Sequence, residues 1–95
     1  MTDLEQLRWQ IDQTDKEIAE LLKERFDFTA MIAAVKDRDG IPTLNSQRED
    51  VVLTKVTENL RDPQVGKAIT EIFKKIMDES KKQQNQLLNR VGEAK

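Results

Sequence analysis

The sequence predicts an all-α fold: three helices per chain, one long, one short and one medium, in an intertwined homodimeric bundle. Three observations carry that prediction. Gly and Pro together number only 5 among 95 residues, too few for the frequent tight turns of a small sandwich or barrel. Leu, Ile, Val and Phe number 25, enough to keep so charged a chain out of the disordered class. An apolar stripe of heptad period runs from residue 4 to residue 35.

That stripe defines the first helix. Its rows are Leu4, Ile11, Ile18, Arg25, Ile32 and Leu7, Thr14, Leu21, Phe28, Val35; eight of the ten positions are apolar, and no Gly or Pro interrupts them. Thr2 or Asp3 can cap its start, and the segment from Asp37 to Asn45, holding Gly40 and Pro42, ends it. Trp9 falls on its outer face and reads as surface. The second helix is expected from Asn45-Ser46 to about Leu60. Ser46-Gln47-Arg48-Glu49 has the form of a capping box, which makes Glu49 the capping acid, and Val52, Val56 and Leu60 give an apolar edge. Asp62-Pro63 then supplies the N-cap and first residue of a third helix. Its apolar face holds Val65, Ile69, Ile72, Phe73, Ile76 and Met77, then Leu87, Leu88 and Val91; its tail from Gly92 to Lys95 is expected to fray.

The length of the first helix bears on quaternary structure. Some 33 residues make a rod of about 50 Å. A compact chain of this size has a radius of gyration near 12 Å and a diameter of only about 30–35 Å. The rod would project beyond its own domain with Leu and Ile exposed, and a second copy paired antiparallel under two-fold symmetry is the simplest cover.

Absent residue types exclude whole classes of chemistry. Without Cys there is no disulfide, thiol nucleophile or Cys-ligated metal; without His there is no Ser-His-Asp triad, HExxH zinc site or imidazole switch. A net charge of −2 speaks against nucleic acid as partner. The longest apolar run, Ala30 to Val35, is far short of the ~20 residues that cross a bilayer, and MTDLEQ is too acidic and polar for a signal peptide. The expectation is a soluble cytoplasmic protein that needs no metal or cofactor.

Several polar residues stand where the pattern wants apolar ones. Arg25 occupies a stripe position, so its guanidinium needs an anion: a glutamate of another helix, an escape to the surface, or a ligand. Lys36 follows 11 residues later on the same face, about 16 Å along the axis, which leaves room for a small anion between the two side chains. Alone, Lys36 is a cation favoured by the helix C-terminus. Arg8 precedes Arg25 by 17 residues, roughly 26 Å, too far to share a small ligand within one chain but within reach from an antiparallel partner. On the third helix the stripe turns polar at Ser80 and Gln84, one turn apart, and the second helix offers Asn45, Arg48 and Glu49 at its first turn. Together they describe a cation-rich pocket inside an apolar bundle.

The run LRWQIDQTDKEIAELLKERF, with Lys36 placed 11 residues after Arg25, then Gly40-Ile41-Pro42 and Arg48-Glu49, resembles the all-helical chorismate mutase family over about Leu4 to Leu88. The resemblance implies a single domain over residues 1–95, an intertwined homodimer with two sites, and conversion of chorismate to prephenate, the branch step towards phenylalanine and tyrosine. It implies that Lys36 and Gln84 are catalytic, both donating to the ether oxygen of the breaking bond. Arg25, with Arg8 of the partner chain, would bind the two carboxylates, assisted by Ser80. Glu49 would accept from the ring hydroxyl, with Arg48 beside it. Asn45 departs from the family's usual Asp, and Thr14 from a usual large aliphatic residue.

The inventory suits that reaction. A Claisen rearrangement is unimolecular and concerted, so it needs conformer selection and donors at a developing oxyanion rather than a nucleophile or metal. A glutamine donates without protonation, so no strongly acidic optimum is expected. Two other readings remain open at this stage: an isochorismate-pyruvate lyase of the same fold, and a non-catalytic helical dimer or adaptor in which Arg25 and Lys36 pair with protein acids.

Overall fold

Thr2 opens the first helix. Its backbone is extended, and its hydroxyl accepts the Glu5 N–H at 3.1 Å, satisfying one donor that the helix itself leaves unpaired. From there α1 runs from Asp3 to Asp39 without a break. The structure, a computed structural model, describes residues 2–42 and 45–93, with side chains as far as residue 88. Gly40 ends α1 in the left-handed conformation, at φ 69°, which costs glycine nothing. The Gly40 N–H donates to Asp37 and the Ile41 N–H to Lys36 at 2.8 Å, a Schellman closure. Helical geometry therefore extends past Lys36, and the 16 Å spacing from Arg25 holds.

The second helix, α2, spans Ser46–Thr57, starting where expected but with a different cap and ending short of Leu60. Its N-cap is Asn45, whose side-chain oxygen accepts the Arg48 N–H at 3.0 Å. Ser46 is thereby the first helical residue, and the Ser46–Glu49 capping box does not form; the Glu49 carboxylate is spent elsewhere. The helix stops three residues before Leu60, whose N–H folds back onto the Thr57 carbonyl at 3.1 Å. Pro63 disfavours helical geometry at the residue before it; Asp62 lies outside the helix and caps α3, its Oδ1 accepting the Gln64 N–H at 2.9 Å. The third helix, α3, runs Pro63–Glu93, through Gly92 of the expected fraying tail. Ala94 and Lys95 lie outside the described residues, as does the Val91 side chain.

Among the described residues the molecule is three helices and no strand, and no helix is long and apolar enough to cross a membrane. α3 is the shared element, packing along α1 and α2, which do not pack on each other. The buried side chains cluster where α3 meets the others: Ala33, Val52 and Met77, with the polar Thr29, Ser80 and Gln84. The rest is open. Leu4, Leu7, Ile11, Ile18 and Leu21 are exposed along α1, and Trp9 is exposed beside them. The chain measures 59 × 28 × 14 Å, with a radius of gyration of 17.1 Å against about 12 Å for a compact chain of this length.

Candidate active site

Three helix faces, each of helical period, converge on one hollow. α1 contributes Arg25, Thr29, Ile32 and Lys36; α2, with its cap, contributes Asn45, Arg48, Glu49 and Val52; α3 contributes Met77, Ser80, Lys81 and Gln84. The last two sets follow the i, i+3, i+4, i+7 spacing of a single stripe. Seven of the eight site residues expected from sequence thus line one cavity of about 290 Å³, at the small end of small-molecule sites. Arg8 does not; it lies on the exposed N-terminal part of α1, roughly 26 Å from Arg25 along the axis.

Charge distinguishes this hollow from a second of similar size on α2 and α3. The second, about 300 Å³, carries Glu49, Asp50 and Asp78 against Lys74. The first holds four cations, Arg25, Lys36, Arg48 and Lys81, and one carboxylate, Glu49, in a chain whose net charge is −2. Positive potential is concentrated there.

Arg25 is half-buried, and among the described residues it pairs with no acid. Its Nη1 donates to the Ser80 hydroxyl at 3.0 Å, a neutral partner. Ser80, 5% exposed, gives its own proton to the Ile76 carbonyl at 2.9 Å, which leaves its lone pairs to hold the guanidinium in place. Burial first, and the neighbouring Arg48 second, lower the Arg25 pKa from its ordinary value. A cation held there without an anion is a site prepared for one.

Gln84 is 7% exposed, and among the described residues its side-chain amide makes no hydrogen bond. Among the described residues no buried side-chain nitrogen or oxygen lacks a hydrogen-bond partner, so the Gln84 amide opens on the hollow, where a ligand or water can complete it. Asn45 is divided: its oxygen caps α2, so only its N–H₂ is left for the cavity. Glu49 reaches across to α3, where its Oε1 accepts from Lys81 Nζ at 3.0 Å. Lys36 is half-buried at the α1 end.

Three residues missed at the sequence level hold this arrangement. Thr29, 8% exposed, donates its hydroxyl to Gln83 Oε1 at 2.7 Å, and Gln83 Nε2 donates to the Phe26 carbonyl at 3.1 Å. This contact joins α3 to α1 at the residue next to Gln84. Lys81 is the third. Its signal lay in the sequence: the polar break at Ser80 and Gln84 becomes a complete helical face only when Lys81 is counted with them.

Among the described residues, fold and site together define an all-helical protein with a cation-rich pocket. The chain belongs to the chorismate mutase type II family, whose sequence profile matches residues 7–85. It is 28% identical to a chorismate mutase of Methanocaldococcus jannaschii, over 90% of this chain and 87% of that one. It is also 33% identical to a T-protein of Enterobacter agglomerans and to a bifunctional chorismate mutase/prephenate dehydratase of Buchnera aphidicola, over 90% and 93% of this chain. Those two are much longer, and the chain spans 23% of the length of each.

Proposed function

We propose that this chain is a chorismate mutase that works in the cytoplasm as an intertwined homodimer without a cofactor. The observation that carries the reading is the Gln84 amide, without a protein partner among the described residues and opening on a hollow of four cations and one acid. A dicarboxylate offsets most of that net positive charge, and its ether oxygen offers the Gln84 amide an acceptor. In the rearrangement the allylic C–O bond breaks as a C–C bond forms between the ring and the enolpyruvyl methylene; no proton is transferred. Arg25, held by Ser80, grips one carboxylate. Lys36 and Gln84 donate to the ether oxygen as its charge grows, where preorganised donors count most. Glu49 accepts from the ring hydroxyl, Asn45 donates beside it, and Arg48 lines the same wall.

The dimer reading rests on exposed surface. The chain exposes 7869 Å², against about 5,600 Å² for a compact protein of its mass. The surplus, about 2,200 Å² per chain, has the size of an obligate homodimer interface. An antiparallel second copy covers the bare stripe of α1 and brings its own Arg8 to Arg25 and Lys36, closing the site with a further cation. The lack of any acid beside Arg25 among the described residues weighs against an adaptor in which that charge is structural.

The test is the purified protein with chorismate and, separately, isochorismate. Prephenate from chorismate is expected. Pyruvate release from isochorismate without prephenate formation would replace the mutase by a lyase, and binding of neither compound would leave a helical adaptor.

A further inference from the structure

The mechanism assigns nothing to Lys81, yet Lys81 makes the ion pair that ties α2 to α3. Its Nζ lies 3.0 Å from Glu49 Oε1 and 3.4 Å from Asp78 Oδ1 on its own helix. The other ion pairs seen among the described residues join neighbours on one helix. Both partners are about two-thirds covered, and both line the cation-rich hollow.

A carboxylate in such a hollow presents a physical problem. Glu49 shares the wall with Arg25 and Arg48, and a glutamate held by nothing there would have no fixed direction from which to meet the guest's hydroxyl. In the structure Glu49 pairs with neither arginine. Lys81 holds it from the α3 side through one oxygen, so the second oxygen stays available and its charge is offset locally. The hydrogen bond to Glu49 is also the main cause of a raised Lys81 pKa, which keeps the ammonium charged at any working pH.

We propose that Lys81 is a positioning residue that anchors Glu49 by one carboxylate oxygen, leaving the other to accept the substrate's ring hydroxyl. The proposal rests on the chorismate mutase reading and adds a determinant of specificity: Lys81 acts on the hydroxyl end of the guest and not on its carboxylates.

The experiment compares the parent protein with Lys81→Met, Lys81→Arg, Glu49→Ala and the Glu49→Ala/Lys81→Met double variant. Two stable bicyclic dicarboxylates serve as competitive probes, one bearing the ring hydroxyl and one lacking it. The parent is expected to prefer the hydroxylated probe by about tenfold or more, the size of one charge-assisted hydrogen bond. Lys81→Met loses most of that preference while holding the deoxy probe within about twofold, and its chorismate KM rises more than its kcat falls. Lys81→Arg restores the preference. In the Glu49→Ala background, adding Lys81→Met changes nothing further. A Lys81→Met variant that keeps the parent's preference overturns the role of Lys81 alone. Equal weakening of both probes with a lowered Tm overturns it too, since a plain clasp between helices behaves so. A parent that binds neither probe and forms no prephenate overturns the functional reading itself.

Discussion

The first helix has two fates along one unbroken rod. From Arg25 to Asp39 it lies against α3, with Thr29 and Ala33 buried. From Asp3 to Glu24 no residue is buried, and Leu21 stands 64% exposed; the stripe positions Phe28, Ile32 and Val35 of the other half are exposed as well, so α3 covers the face beside the stripe and not the stripe itself. Propensity, period and composition hardly differ between the halves. The difference lies in what stands opposite, because an apolar stripe fixes which face must be buried and not what buries it. Each half also carries cations assigned to the site, Arg25 and Lys36 in one and Arg8, which flanks the stripe, in the other. On the proposed dimer these belong to one site, with the bare half of each copy serving the covered half of the other.

The largest expected effect comes from breaking the bare half. Ile18→Asp puts an unpaired carboxylate into the proposed seam, twice per dimer, at a cost of several kcal/mol. Sedimentation should show a monomer, circular dichroism a loss of helix, and the assay a loss of prephenate formation. Unchanged association and turnover would make the bare stripe a free surface and remove the reason for pairing.

The covered half should respond in the opposite way. Arg25→Leu and Lys36→Ala are expected to lower kcat by about 10²–10³, the scale of one preorganised donor, while the dimer stays folded. Arg25→Leu should melt no earlier than the parent, since it deletes a cation that burial disfavours. Joining the halves gives a sharper test. Arg8→Ala and Lys36→Ala protomers, each inactive as a homodimer, should regain one working site of two when co-assembled, read as about half the parent's turnover per verified heterodimer. No recovery would separate Arg8 from the site.

The pH dependence tests the covered half alone. Gln84 does not titrate, so kcat/KM should stay level from about pH 6 to 9. Gln84→Glu donates only when protonated; its activity should be greatest in acid and fall as pH rises through the carboxylate range, reaching about 10²-fold below the parent at neutrality. A parent that itself loses activity above the carboxylate range would mean that another group supplies the proton at the ether oxygen.

The sequence made legible what depends on period and on residue type. The three helices, the Thr2 and Asp62 caps, and seven residues of one pocket follow from stripes and from polar residues that interrupt them. It was silent where competing local partners decide. Asn45 and Ser46 are both good N-caps, and the choice of Asn45 freed Glu49 from the capping box for Lys81, 32 residues away. Thr29 and Gln83 read as ordinary helical residues because their hydrogen bond joins α1 to α3, and no local pattern encodes that pairing. Leu60 looked like the third member of an α2 edge, yet the helix ends at Thr57 and the Leu60 N–H closes a turn on the Thr57 carbonyl.

The smallest effect belongs to the contact that sets α3 on the covered half. Gln83→Leu removes the hydrogen bonds to Thr29 and to the Phe26 carbonyl, but Thr29 keeps an alternative acceptor in Phe26 at 3.0 Å, so no buried hydroxyl is orphaned. The loss should be about 1 kcal/mol, seen as a fall in Tm of roughly 4–8 °C. Turnover should drop as well, by less than in Gln84→Glu, because α3 can then rotate and Gln84 follows it. A variant with a lowered Tm and full turnover would show that the apolar contacts of Met77 hold Gln84 in line without the polar latch. A variant unchanged in both would show that Gln83 gains no more from Thr29 than from water, and that the two halves of α1 differ only in apolar cover.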